Sequence, residues 1–147
     1  MIYIFLDIDG VLNNNSNQSY YGMDVDPINL HHFNNFLEEL KKINLDFKII
    51  VTSDWKDYPK DLDFLFNSFI NEFYTDTTKI ENIEKPIDKV RRREFEIKKY
   101  LEKIKDLDFK YIIIDDFPLE FDNLIKTNYD TGFLLEHKEL CLKKIIL

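Results

Sequence analysis

The chain has 147 residues, 44% of them hydrophobic and 15% aromatic, a length that suits one domain and a composition too apolar for a disordered chain. Its 20 basic and 28 acidic residues leave a formal charge of -8, which argues against sequence-independent nucleic-acid binding, because phosphate contacts need clustered cations. A lone cysteine, Cys141, excludes an internal disulfide framework and a thiolate zinc site, and no run approaches the roughly 20 apolar residues of a membrane span. A soluble, cytoplasmic protein is expected.

Residues 2–6 form a short apolar run that ends in acid and glycine, as a buried parallel strand does. Residues 13–25 are polar and read as a loop. Asp26-Pro27 then signals a helix start, and Ile28, Phe33, Phe36, Leu37 and Leu40 carry its apolar stripe to about residue 43. Residues 47–51 make a second buried strand ending in Thr52 and Ser53. A helix is expected over 60–71, and Phe73-Tyr74 suggests a minor strand. Val90, Ile97, Leu101 and Ile104 have helical spacing in a long helix over 87–105. Residues 109–114 form a third buried strand that ends in Asp115-Asp116. A short strand over 123–127 and a helix over 134–145, preceded by Gly132, complete the chain. Strands alternate with helices, so the expected class is α/β, a parallel sheet with covering helices in one domain over 1–147.

Three strands thus end in acid or hydroxyl: Asp7 and Asp9, Thr52 and Ser53, Asp115 and Asp116. Ligands of an open α/β sheet bind beyond the carboxyl ends of its strands. Four carboxylates gathered there call for a cation, and all-oxygen ligands imply a hard one, Mg²⁺ being the best fit. Asp-x-Asp alone is weak evidence, since Asp24/Asp26, Asp61/Asp63 and Asp106/Asp108 repeat it. The pair at 7 and 9 differs in having a hydrophobic strand before it and Gly10-Val11 after it. Extended backbone would set Asp7 and Asp9 on one side with Ile8 pointing away, and Gly10 permits a sharp exit and close approach to a phosphate.

Asp7-Ile8-Asp9-Gly10-Val11 after an apolar strand resembles the first motif of the haloacid dehalogenase-like (HAD) phosphohydrolases. Ile49-Ile50-Val51-Thr52-Ser53 resembles the second motif, the basic cluster Arg91-Arg92-Arg93 supplies a third-motif cation, and Ile114-Asp115-Asp116 resembles the fourth. Ser53-Asp54-Trp55-Lys56 and Arg93-x-x-Glu96-Ile97 are similar to a small, capless HAD group that includes domains of RNA-repair proteins. The resemblance implies a Rossmann-like three-layer sandwich, and the short segments between motifs leave no room for a large cap domain.

It also implies a mechanism. Asp7 is the expected nucleophile and Asp9 the acid and base. Asp7, the Asp9 backbone carbonyl and Asp116 would hold Mg²⁺, with Asp115 orienting the metal site. Thr52 and Ser53 would bind phosphate oxygens. Arg93 matches the third-motif spacing, while Lys89, one turn earlier, competes for the phosphate-binding role. Trp55 and Lys56 are candidate substrate contacts, as are Tyr20 and Tyr21 in the polar loop. Trp55 could equally pack against a helix. His31 and His32, adjacent on one helix, make a poor metal pair, and Cys141 is expected to be buried. The implied partner is a phosphorylated substrate, with a polynucleotide end phosphate favoured by Trp55-Lys56 and the arginine triplet. A nucleotide or sugar phosphate, or a non-catalytic HAD-fold binding module, is the alternative.

Overall fold

The computed structural model describes residues 1–16, 25–81, 84 and 86–146. Tyr20, Tyr21 and Gly22 lie outside them. Among the described residues five parallel strands form one sheet: β1 (Ile2–Leu6), β2 (Phe47–Val51), β3 (Asp76–Thr77), β4 (Lys110–Asp115) and β5 (Leu124–Lys126), in spatial order β3-β2-β1-β4-β5. The helices are α1 (Pro27–Lys42), α2 (Pro59–Phe69), α3 (Lys89–Lys103) and α4 (Leu135–Ile146). A 3-10 turn at Asp54–Asp57 joins β2 to α2.

Strand alternation divides the core into two layers. Ile2, Ile4 and Leu6 of β1 face the side packed by α1, α2 and α4, where Phe33, Leu37, Phe66 and Cys141 are buried. Tyr3 and Phe5 face the other side, which α3 covers with Ile97, Val90 and Leu101. Each such fully buried side chain contributes about 1.5–3 kcal/mol by leaving water. The result is the expected Rossmann-like three-layer α/β sandwich, and no large cap interrupts it among the described residues. None of their helices is long and apolar enough to cross a membrane.

The helix starts follow their capping chemistry. Asp26 Oδ1 accepts the backbone N–H groups of Ile28 and Asn29 at 2.8 and 3.1 Å, with Pro27 in the first turn. Asp88 does the same for Val90 and Arg91, which fixes where α3 begins and so where Arg93 falls. One expected element moves. The minor strand is Asp76–Thr77, paired with Ile50 and Val51, and not Phe73-Tyr74. Phe73 is 68% exposed, so its aromatic β-propensity found no partner strand and pairing with β2 decided the register.

The strand order reverses at β1. The chain moves outward from β1 to β2 and β3, then returns through α3 to the opposite side for β4 and β5. The crevice at this reversal, beyond the carboxyl ends of β1 and β4, is where an open α/β sheet binds its ligand.

Candidate active site

β1 ends at Leu6, and Asp7 follows at the tip of the sheet, its backbone N–H donating to Ile114 O at 3.0 Å. β4 delivers Asp115 and then Asp116 alongside. Carboxylate oxygens of Asp7, Asp115 and Asp116 lie within 4.8 Å of one another. Asp7 is 3% exposed and Asp115 fully buried. Burial, and then the neighbouring Asp115 charge, push the Asp7 carboxyl well above the usual carboxylate range, against the opposing pull of Arg93. The carboxyl of Asp116 is raised as well, chiefly by burial.

Arg93 reaches this cluster from α3. Its Nη1 donates to Asp115 Oδ2 at 2.7 Å and lies 3.3 Å from Asp7 Oδ1, and its guanidinium stacks over the Phe117 ring at 4.7 Å. Burial alone would lower its pKa, but Asp7 and Asp115 more than reverse that and hold it charged. Asp115 spends its other oxygen on the Phe117 backbone N–H at 2.9 Å. One guanidinium against three carboxylates leaves room for further positive charge. Moreover, Oδ1 of Asp116 is buried with no hydrogen-bond partner. Such an orphaned acceptor beside two other carboxylates fits a hard divalent cation.

Gly10 supplies the space for Asp116. Its φ is +84°, and a Cβ there would lie 2.5 Å from Cγ of Asp116. The Gly10 peptide is held on both sides, its N–H by Asn13 Oδ1 at 2.9 Å and its carbonyl by the Thr127 hydroxyl at 2.6 Å.

A cavity of about 390 Å³ opens above the carboxylates. From the residues expected in the site it gathers Asp7, Asp9, Ser53, Lys89, Arg93 and Asp116. Thr52 sits fully buried at the end of β2, its Oγ1 without a partner. Ser53 Oγ caps the 3-10 turn by accepting the Trp55 backbone N–H at 3.2 Å. Arg93 is the cation on the carboxylates, and exposed Lys89 stands at the rim.

Asp7 and Asp9 both line the cavity with Ile8 buried in the core, as expected of the pair, although the Asp9 carboxylate stands outside the Asp7–Asp115–Asp116 cluster. Any Asp9 contribution to a metal would therefore come from its backbone carbonyl alone. Two expectations change. Lys56 is not a cavity residue. It is 6% exposed, pairs with Glu96 Oε2 at 3.2 Å and donates to Thr52 O at 3.0 Å, tying the loop after β2 to α3. Trp55, partly buried against the core, donates from Nε1 to Asp9 Oδ1 at 3.2 Å and does not line the cavity.

Asn13, Asp54, Phe117 and Tyr129 line the cavity without having been singled out as site residues. Phe117 was legible in principle, since it directly follows Asp115-Asp116. Asn13 sits three residues after Gly10, where a side chain can reach back to a turn's N–H. Tyr129 carries no local signal. His31 and His32 stack edge-on away from the site, and Cys141 is buried in α4, which pushes its thiol upward.

A parallel sheet with carboxylates beyond β1 and β4, a hydroxyl beyond β2 and a cation from the intervening helix defines an α/β domain of the HAD type. Residues 3–137 match the family model described as the HAD domain in Swiss Army Knife RNA repair proteins, and the chain belongs to that family. Comparison with curated proteins and with solved structures returns no match.

Proposed function

We infer that the protein is a Mg²⁺-dependent phosphomonoester hydrolase working through an aspartyl-phosphate on Asp7. The observation that carries this reading is the Arg93 bridge between Asp7 and Asp115 at the floor of an acidic cavity. Arg93 fixes the Asp7 carboxylate and offers its remaining N–H donors to a phosphoryl oxygen. Asp7 and Asp116, with the Asp9 carbonyl, would hold Mg²⁺, and Asp115 would keep Arg93 in register. When bound, the ion neutralises charge on the phosphoryl group.

Asp7 attacks phosphorus in line as the bond to the leaving oxygen breaks, and Asp9 gives that oxygen its proton. Asp9 then takes a proton from the water that releases inorganic phosphate and restores the Asp7 carboxylate. Thr52 and Ser53 would bind phosphate oxygens, and Lys89 would meet substrate at the rim. An ester leaving group needs a proton, so aspartate at position 9 suits phosphoester hydrolysis.

The cavity without a large cap suits a phosphate at the end of a large molecule, and the family's occurrence in RNA-repair proteins favours a polynucleotide end. The test is phosphate release from 3′- and 5′-phosphorylated oligonucleotides and from sugar phosphates, with Mg²⁺ and with chelator. We expect Mg²⁺-dependent release, fastest from an oligonucleotide end, and its loss in Asp7→Asn. Preference for a sugar phosphate would shift the substrate to small molecules. Survival of activity in Asp7→Asn would end the mechanism.

A further inference from the structure

Of the two acids in the first motif, Asp9 alone stands apart from the buried cluster, yet its carboxylate is not free to rotate. Oδ1 accepts two N–H bonds, from Asn13 Nδ2 at 2.8 Å and from Trp55 Nε1 at 3.2 Å. The Asn13 amide has only one sensible orientation. Its Oδ1 takes the Gly10 backbone N–H, a group that can only donate, so its nitrogen must face Asp9. The indole N–H of Trp55 is likewise donor only. Asn13 is 7% exposed in the turn after β1, and Trp55 comes from the 3-10 turn after β2. The carboxylate is therefore gripped by two separate segments on one oxygen. Its Oδ2 takes no hydrogen bond from any described residue.

We propose that Asn13 and Trp55 are positioning residues for Asp9, reserving Oδ1 as an acceptor and leaving Oδ2 as the atom that exchanges protons with the leaving oxygen and with water. The proposal rests on reading Asp9 as the acid and base of phosphoester hydrolysis. A hydrogen on Oδ1 would confront two N–H donors and forfeit both bonds, so the protonated carboxyl carries it on Oδ2. As the Asp7–phosphorus bond forms and the phosphorus–leaving-oxygen bond breaks, that hydrogen passes to the leaving oxygen as a proton. The resulting carboxylate keeps both bonds on Oδ1 throughout. In the second half Oδ2 takes a proton from the attacking water as the water oxygen bonds to phosphorus, the phosphorus–Asp7 bond breaks, inorganic phosphate leaves, and the starting state returns. Holding the proton-carrying oxygen in one direction is the alignment that general acid catalysis requires.

The test compares two esters: the aliphatic phosphate that the protein turns over fastest, and 4-nitrophenyl phosphate, whose leaving group departs without a proton. Trp55→Phe removes one donor and keeps an aromatic ring, Asn13→Ala removes the other, and Asp9→Asn sets the full size of the leaving-group effect. We expect kcat/KM, which reports only the steps up to transfer of the phosphoryl group to Asp7, to fall on the aliphatic ester about tenfold in Trp55→Phe and roughly a hundredfold in Asn13→Ala, with that for 4-nitrophenyl phosphate changed by less than about threefold; kcat, which includes the shared hydrolysis step, is expected to fall on both esters. Far-ultraviolet circular dichroism confirms that each variant is folded, and either variant alone suffices for the comparison. Equal losses of kcat/KM on both esters overturn the positioning role when Asp9→Asn itself discriminates between the esters. If Asp9→Asn does not discriminate, the acid assignment falls and the positioning role falls with it.

Discussion

A Cβ at position 10 would collide with the Asp116 carboxyl at 2.5 Å, and the backbone there has φ +84°. Gly10→Ala should lose at least about 1–2 kcal/mol from backbone strain alone, read as a Tm lowered by several degrees. Because the clash displaces a carboxylate of the site, phosphate release should fall more steeply than stability. His137 offers a second residue-scale prediction. It is the third residue of α4, and its Nδ1 accepts the Leu134 backbone N–H at 2.9 Å, closing the helix start as a capping-box side chain does. Burial lowers its pKa from 6.5, with Glu136 opposing. A depressed base folds in its neutral form, so its contribution is whole above the unfolded value and is lost as pH falls through the folded one. His137→Gln keeps an acceptor that does not titrate there. The Tm difference between the two proteins should therefore shift in favour of the variant as pH drops below about 6.5, and a constant difference would contradict the cap.

At the scale of elements, α3 matters most, because it carries both Arg93 and, one turn later, Glu96. Lys56 and Glu96 are each 3% exposed as side chains and 3.2 Å apart. Glu96→Gln would leave the Lys56 ammonium buried without its counter-charge, a loss of about 3–5 kcal/mol, whereas replacing both partners by apolar residues costs far less. Urea unfolding of Glu96→Gln and of the Lys56→Met/Glu96→Leu double variant should show that order.

This pair also marks a boundary of what the sequence discloses. β1, β2 and β4 were legible as apolar runs closing in acid or hydroxyl, the Asp26-Pro27 cap located the start of α1, and apolar spacing located α3 closely. The three-carboxylate cluster was legible for the same reason: strand ends in a parallel sheet converge. A lysine two residues beyond Asp54, however, reads as a substrate contact until its partner 40 positions away is known. The separation of the Asp9 carboxylate from the three-carboxylate cluster was equally hidden, because Asn13 and Trp55 hold it from two separate turns. β3 was misplaced because its identity lies in pairing with β2, not in its own residues.

For the whole molecule, the carboxylates that make the site also burden the metal-free fold with like charge. A cation that binds only the folded state raises stability by about 2.7 kcal/mol at a hundredfold excess over its Kd. Mg²⁺ should accordingly raise Tm and chelator should lower it. In Asp116→Asn that shift should disappear, while the chelated variant melts no lower than the chelated parent. A Tm indifferent to Mg²⁺ in the unaltered protein would contradict the metal assignment.

The sheet described above tapers sharply, from strands of five or six residues at its centre to two in β3 and three in β5. Its outermost ribbons offer few idle amides and carbonyls to a stranger's backbone, so end-on strand addition finds little to grip. Together with the negative charge this should keep concentrated solutions of the folded protein clear of fibrils, and any aggregation should begin from unfolded chains, where the long central strands are bare.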